Sequence, residues 1–263
     1  LKKEVEIEEI SIRNATFDTR DFIDGVVVSG HLGELFLESH GVVFSPETAR
    51  INEFSVKNTD VSLTLGSIES TDTVPSEPLY WKILLDEIDF ENVGFALKMP
   101  QDSLFVRTML PKTTLKNGVI DLKEASYYVK SFGIDNAELA YGPKEELFLQ
   151  QIGLQLDSIY YCGRDIRANI EEFVLKERSG LELVSTEGRI VSDSVLIEIP
   201  KFTMKTTASS LDLQTKIGWD VLEMKKTGVL SAKINAEIGK GDVAKILGGR
   251  DTLFLQTYPN KPF

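Results

Sequence analysis

Apolar side chains two residues apart recur along almost the whole chain, and no other feature limits its fold as strongly. Val5 and Ile7, Ile10 and Ile12, Val26 and Val28, Leu35 and Leu37, and Phe54 and Val56 set the pattern. Val61 with Leu63 and Leu65, Ile88 and Phe90, and Phe95 and Leu97 continue it. Further on come Phe173 and Leu175, Leu181 and Leu183, Val195 with Ile197 and Ile199, Leu211 and Leu213, and Ile234 with Ala236 and Ile238. The intervening residues are mostly Glu, Lys, Asp, Ser and Thr. Period two matches the alternation of side chains across a pleated strand, not the 3.6-residue turn of a helix. Such strands are apolar on one face and wet on the other, the habit of antiparallel sheets. The expected class is all-β, as a meander, sandwich, barrel or long open sheet.

Few segments depart from that pattern. Asp242 to Leu247, closed by Gly248-Gly249, predicts a short helix with an Asp start and a Gly stop. Pro78 to Leu85 predicts a turn or an entry strand, and 66–78, rich in Ser, Thr, Glu and Pro, a surface loop or insertion. Strands of the same kind resume after it, so 1–263 reads as a single elongated β domain. The chain starts at Leu1 without a signal peptide, and no apolar run reaches the roughly 18 residues of a membrane span. It is expected to be part of a longer protein, with any leader or membrane anchor outside it.

A unit of apolar, any, apolar, any, Asn, small or β-branched, any, apolar returns four times. The copies start at Ile10, Phe54, Ile88 and Phe132, and place Asn14, Asn58, Asn92 and Asn136 at the fifth position. Looser relatives run from Leu115 to Leu122 and from Phe173 to Leu183. Before each Asn the apolar residues share its parity; after it they take the other. A β-bulge or a two-residue turn at the Asn produces that change, and Asn suits both because it tolerates positive φ. Thr59 and Val93 are poor residues for a turn, which favours bulges there, whereas Asn117-Gly118 fits a type I′ hairpin. Repeated bulges bend a sheet into a trough.

Charge and side-chain inventory exclude several functions. The formal charge of −12 argues against nucleic acid and against a basic membrane-docking face. One cysteine, Cys162, and two histidines, His31 and His40, rule out a disulfide framework or multi-cysteine zinc site, and Cys162 reads as a buried, inert thiol. No nucleophile elbow, P-loop, zinc-protease helix or dinucleotide fingerprint is present, and Gly239-Lys240-Gly241-Asp242 reads as a turn before a helix. Asp18, Asp21 and Asp24 lack the Gly and Glu of a calcium loop. Glu8-Glu9, Glu145-Glu146 and Glu171-Glu172 read as solvated pairs pointing to opposite faces of strands. Tyr127-Tyr128 and Tyr160-Tyr161 should each turn one ring in and one out. The chain is read as no enzyme, with no cofactor and no metal.

The Asn-centred units resemble the strand unit of the AsmA-like superfamily of repeating β-groove lipid-transfer proteins. Further stretches resemble its TamB branch, in the form associated with Bacteroidetes. They are Glu77 to Leu85 leading to Glu91-Asn92-Val93, Met99 to Leu104, Phe173 to Leu181, Ile199-Pro200, and Met204 to Thr207 with Ser209-Ser210. The resemblance covers most of residues 5–215. It implies an elongated, curved, mostly antiparallel sheet with an apolar concave lining, and one or two short helices beside it. It also implies a periplasmic module, anchored to the inner membrane in the full-length protein and serving outer-membrane biogenesis. Such a module binds or conducts phospholipid or another acyl ligand between the two membranes, or assists outer-membrane assembly with an outer-membrane barrel protein. The inward-facing candidates are Phe54, Val56, Ile88, Phe90, Phe132, Ile134, Phe173 and Leu175. Periodicity alone leaves open whether these line a groove or fill the closed core of a sandwich. The alternative functions are a carbohydrate-binding or lyase-like β-protein, and a scaffold or adhesin that pairs through its sheet edges.

Overall fold

A computed structural model of the chain describes residues 4–5, 8–21, 25–44, 47–66, 80–225 and 227–246. Its strands are β1 (Glu4–Val5), β2 (Glu9–Asp21), β3 (Val26–Phe44), β4 (Glu47–Thr64), β5 (Lys82–Met99), β6 (Leu104–Asp121) and β7 (Ser126–Tyr141). They continue with β8 (Leu147–Cys162), β9 (Asp165–Glu177), β10 (Glu182–Ser192), β11 (Leu196–Thr206), β12 (Ser210–Gly218) and β13 (Leu230–Glu237). All thirteen join one open, curved sheet in chain order from β3 to β13, with β1 and β2 both against β3. Every pairing is antiparallel except β4 with β5, which run parallel from Thr48↔Lys82 to Thr64↔Lys98. The all-β class, the open curved sheet and the two short helices, α1 (Trp219–Leu222) and α2 (Lys240–Ile246), agree with the sequence reading.

Several local expectations need correction. Asn117-Gly118 is not a hairpin: both residues lie inside β6, and pairing with β5 continues on either side at Glu87↔Lys116 and Leu85↔Gly118. Val195 stands outside β11 and is 66% exposed. Glu145 and Glu146 sit in the turn between β7 and β8, not on a strand. The helix predicted from Asp242 begins at Lys240, with Asp242 inside its first turn, while Leu247 to Gly249 lie outside the described residues. The loop read at 66–78 lies outside them too, apart from Gly66. Of the segment from Pro78 to Leu85, Lys82 to Leu85 begin β5.

No second layer packs on the sheet among the described residues, and extensive contacts between strands join sheet neighbours only. Among the described residues no large side chain is fully buried; the apolar residues that approach it are Val56 at 9%, Leu85 at 7%, Ala137 at 3% and Ala140 at 1% exposure. This decides between the two architectures that periodicity left open. A sandwich core would enclose its aromatic and aliphatic side chains; here Phe54, Ile88, Phe90, Phe132 and Ile134 remain half-buried. Much of the cohesion is the hydrogen-bond ladder itself and the lateral packing of side chains along each face.

Small polar clusters fasten the ends of the strands. Asp242 is buried and accepts hydrogen bonds from Thr206 Oγ1 and Ser209 Oγ, which ties α2 to the β11–β12 turn. Trp219 Nε1 donates to the Asp193 carbonyl at 2.7 Å, and the Arg164 guanidinium lies 5.3 Å from the Trp219 ring, so α1 is held against two turns.

Candidate functional site

Residues paired across a sheet share a face, so the register sorts every side chain. On β5, Ile83, Leu85, Ile88, Phe90, Val93, Phe95, Leu97 and Met99 fall on one face, and Lys82, Glu87, Asp89, Glu91 and Lys98 on the other. The parity of the apolar residues changes twice, after Leu85 and after Phe90. The register carries both changes across the neighbouring strands, so the apolar residues stay on one side throughout. On the polar face the row Arg13, Glu34, Lys57, Glu91, Lys112, Asp135 alternates in sign over six strands. Arg13–Glu34 at 3.3 Å and Lys57–Glu91 at 3.6 Å are its closest pairs. Exposed pairs of this kind are worth roughly 0–1 kcal/mol each; the row gives the polar face to water.

One parity change on each of six strands falls at a left-handed residue, whereas the change at Asp86 of β5 does not, and β8 carries a second left-handed residue, Gln151. Asn14, Asn58, Asn92, Asn117, Asn136 and Ser158 all have positive φ, between 49° and 57°. Each closes a six-residue segment in which the second and fourth side chains lie on the apolar face. The segments are Glu9–Asn14, Glu53–Asn58, Glu87–Asn92, Lys112–Asn117, Ser131–Asn136 and Gly153–Ser158. A left-handed residue reverses the pleat at that point. The register passes without a slip at Asn14, Arg13↔Glu34 before and Ala15↔Leu32 after, and also at Asn58 and Asn92, where a bulge is expected, so these are creases; at Asn136 the register against β8 shifts between Ile134 and Ala137, as a bulge requires. Because antiparallel neighbours leave their segments at opposite ends, the creases align in two lines. One runs through Asn14, Gly33, Asn58, Asn92, Pro111 and Asn136, and the other through Asn52, Asp86, Asn117, Lys130 and Ser158. Parallel β4 and β5 put Asn58 and Asn92 side by side, and Asn92 Nδ2 donates to Asn58 Oδ1 at 3.2 Å.

The side chains flanking the creases are among the most buried of the sheet. Val56 and Thr59 flank Asn58, Ala137 follows Asn136 and Leu85 precedes Asp86; all face the apolar side, at 9%, 3%, 3% and 7% exposure. No second layer packs on that face among the described residues, so lateral neighbours within the sheet account for these low exposures, as they do for Ser55 and Ala140 on the opposite face at 5% and 1%. The strip between the creases is a floor six residues wide, about 20 Å at 3.3 Å per residue.

Seven of the eight sequence candidates lie on that floor, in two rows. Phe54, Ile88 and Phe132 share a row with Leu37, Leu115, Leu156 and Ile170. Val56, Phe90, Ile134 and Phe173 share the other with Leu35, Thr113 and Leu154. The eighth, Leu175, lies beyond the floor, paired with Leu183. The rings of Phe54 and Phe90 meet edge to face, 6.2 Å between centroids. With Ile10 and Ile12 of β2, the rows cross eight strands, about 34 Å at 4.8 Å per strand. The sequence search missed the floor residues of β8 because Ser158 stands where the other segments end in Asn. The period-two pair Leu154 and Leu156 was the signal that was there to be used.

Other sequence candidates take no part in this site. Cys162 is half-exposed rather than buried, and its nearest polar contact is the Glu124 carbonyl at 3.7 Å. Tyr127 and Tyr161 stack on the apolar face with ring centroids 5.9 Å apart, while Tyr128 and Tyr160 pair on the other. Asp18 is held by Arg20 at 3.1 Å, and the hydrogen bond and charge of that guanidinium hold its carboxyl below the usual value. Burial raises the Asp242 carboxyl, but hydrogen bonds from Ser209 and Thr206, with Lys245 nearby, outweigh it and leave it below its ordinary 3.8. Among the described residues no group of His, Cys, Asp and Glu has the geometry of a metal site, and no helix is long and apolar enough to cross a membrane. No family model and no curated protein matches the chain.

Proposed function

We propose that this chain is a lipid-handling module whose apolar groove holds or conducts the acyl chains of phospholipid. The observation that carries the reading is the apolar floor, two side chains per strand and broken only by Thr113, with no second layer upon it among the described residues. Soluble chains rarely leave a contiguous apolar patch above a few hundred Å² in water without a partner for it. Acyl chains are suitable partners: each methylene removed from water contributes about 0.8 kcal/mol, and the floor makes no directional demand on what lies along it. The resemblance to the AsmA-like superfamily implies a periplasmic module with an inner-membrane anchor and a role in outer-membrane biogenesis. An outer-membrane barrel protein is the partner that the resemblance implies. Catalysis has no place in this reading.

A scaffold that pairs through its edges is the second reading. It is favoured by β13, the last strand of the sheet, whose eight residues are all exposed.

Native mass spectrometry of the purified chain, with lipid extraction and a fluorescent phospholipid titration, tests the proposal. Co-purifying phospholipid that is lost in Phe90→Asp or Ile134→Asp, with strand content unchanged by circular dichroism, is the expected result. A bare mass and no uptake would overturn it, and concentration-dependent dimers under those conditions would favour edge pairing.

A further inference from the structure

We infer that the left-handed residues closing the floor segments are the positioning residues of the groove: their backbone conformation, not their side-chain contacts, gives the apolar face the concavity that holds a ligand. This rests on the lipid-binding reading above and assigns that site its shape-determining residues. Asn14, Asn58, Asn92, Asn117, Asn136 and Ser158 all have exposed side chains, so burial does not account for their presence. What they share is a φ near +50° at the same place in six strands. Asn and Gly accept that conformation, and a β-branched residue resists it.

The residues opposite them fit the same account. Asn14 faces Gly33, which also faces Asn58 across β3 and β4. A Cβ on Gly33 would overlap the Asn58 carbonyl oxygen and lie 2.7 Å from that of Lys57. The backbones therefore approach closely along the crease line. Asn92 faces Pro111, which has no N–H to leave unpaired where the ladder breaks. From β9 onward no residue within a strand has positive φ, so the creased part of the groove is β2 to β8.

Curvature can be read independently of lipid. Nitroxides attached at Lys82 and Lys98, both exposed and on the polar face at the two ends of β5, report the end-to-end distance of one strand by pulsed electron resonance, in a Cys162→Ser background. A straight strand would set the two backbone positions about 53 Å apart, and the creased strand is expected to measure shorter. The double variant Asn58→Val/Asn92→Val should lengthen that distance and lower bound phospholipid at least about fivefold, the population factor that a left-handed penalty of this kind implies. Asn58→Gly/Asn92→Gly should leave both readouts near wild type, as should Asn235→Val, which changes an exposed asparagine outside the crease. Should the valine variant fail to fold, Asn58→Ala/Asn92→Ala provides the same reading with a smaller penalty. An unchanged distance in folded valine or alanine variants overturns the inference, whether or not lipid is bound. A lengthened distance with undiminished lipid binding overturns it as well. A wild type that takes up no lipid overturns the proposed function, while the distance still decides whether the asparagines set the bend.

Discussion

Removing one aromatic ring from the floor should cost less than removing one from a closed core, and the difference can be worked from the geometry. Phe54 and Phe90 are half-buried, touch each other edge to face at 6.2 Å, and have no second layer above them among the described residues. Phe→Ala in an enclosed core costs about 3–5 kcal/mol, part of it the transfer of the ring and part the cavity left behind. On an open face no enclosed cavity forms, because the vacancy is continuous with the groove. The transfer part alone, roughly 1.5–3 kcal/mol for a fully buried ring and less for one already half in water, predicts about 1–2 kcal/mol for Phe54→Ala or Phe90→Ala. The pair should couple by about 0.5–1.5 kcal/mol beyond additivity, the usual range for aromatic contacts. Urea unfolding followed by circular dichroism on the wild type, both single variants and the double variant, in lipid-free buffer, gives all three numbers. Single losses of 4 kcal/mol or more would mean that the floor is enclosed as a core is. Zero coupling would mean that the two rings do not meet in solution.

Two further outcomes follow from the strand ends and the crease. Asp242 has a folded-state carboxyl below its ordinary value, so its contribution is complete above the unfolded value near pH 4 and is lost as pH falls through the folded one. Hydrogen exchange in 206–209 and 240–246 should therefore speed up on acidification, and Asp242→Asn, losing charge-assisted bonds worth about 1.5–3 kcal/mol, should abolish that acid dependence; exchange independent of pH in the wild type, beyond the intrinsic chemical rate, would refute the assignment. Gly33→Ala should destabilise the sheet by about 1–3 kcal/mol through overpacking, because a Cβ there overlaps Asn58 and Lys57 backbone atoms. An unchanged melting temperature in that variant would show that β3 and β4 are not in close approach at the crease.

The parity changes at Asn14, Asn58, Asn92 and Asn136 could be found by inspection because each is a local event. A left-handed residue reverses the pleat, and the apolar residues must change parity to stay on one face. One local assignment failed and one segment went unmatched. Asn117-Gly118 has the chemistry of a hairpin and of a crease alike, and only its pairing partners separate the two. Ser158 performs the same backbone role as the asparagines without their identity, so its segment did not match the pattern.

The sequence by itself determined the all-β class, the two-faced strands and seven of the sixteen floor residues, since alternation and the φ preference of asparagine are properties of neighbouring residues. It left open whether the apolar face was closed or open, and nothing in alternation can decide that: Phe54 or Ile134 presents the same period whether a second sheet covers it or not. The tertiary structure decided it through pairing between distant residues, which put thirteen strands into one layer and brought the creases of successive strands into line. Register is set by contacts across tens of residues, and it is register that brings the left-handed residues of six strands into two lines.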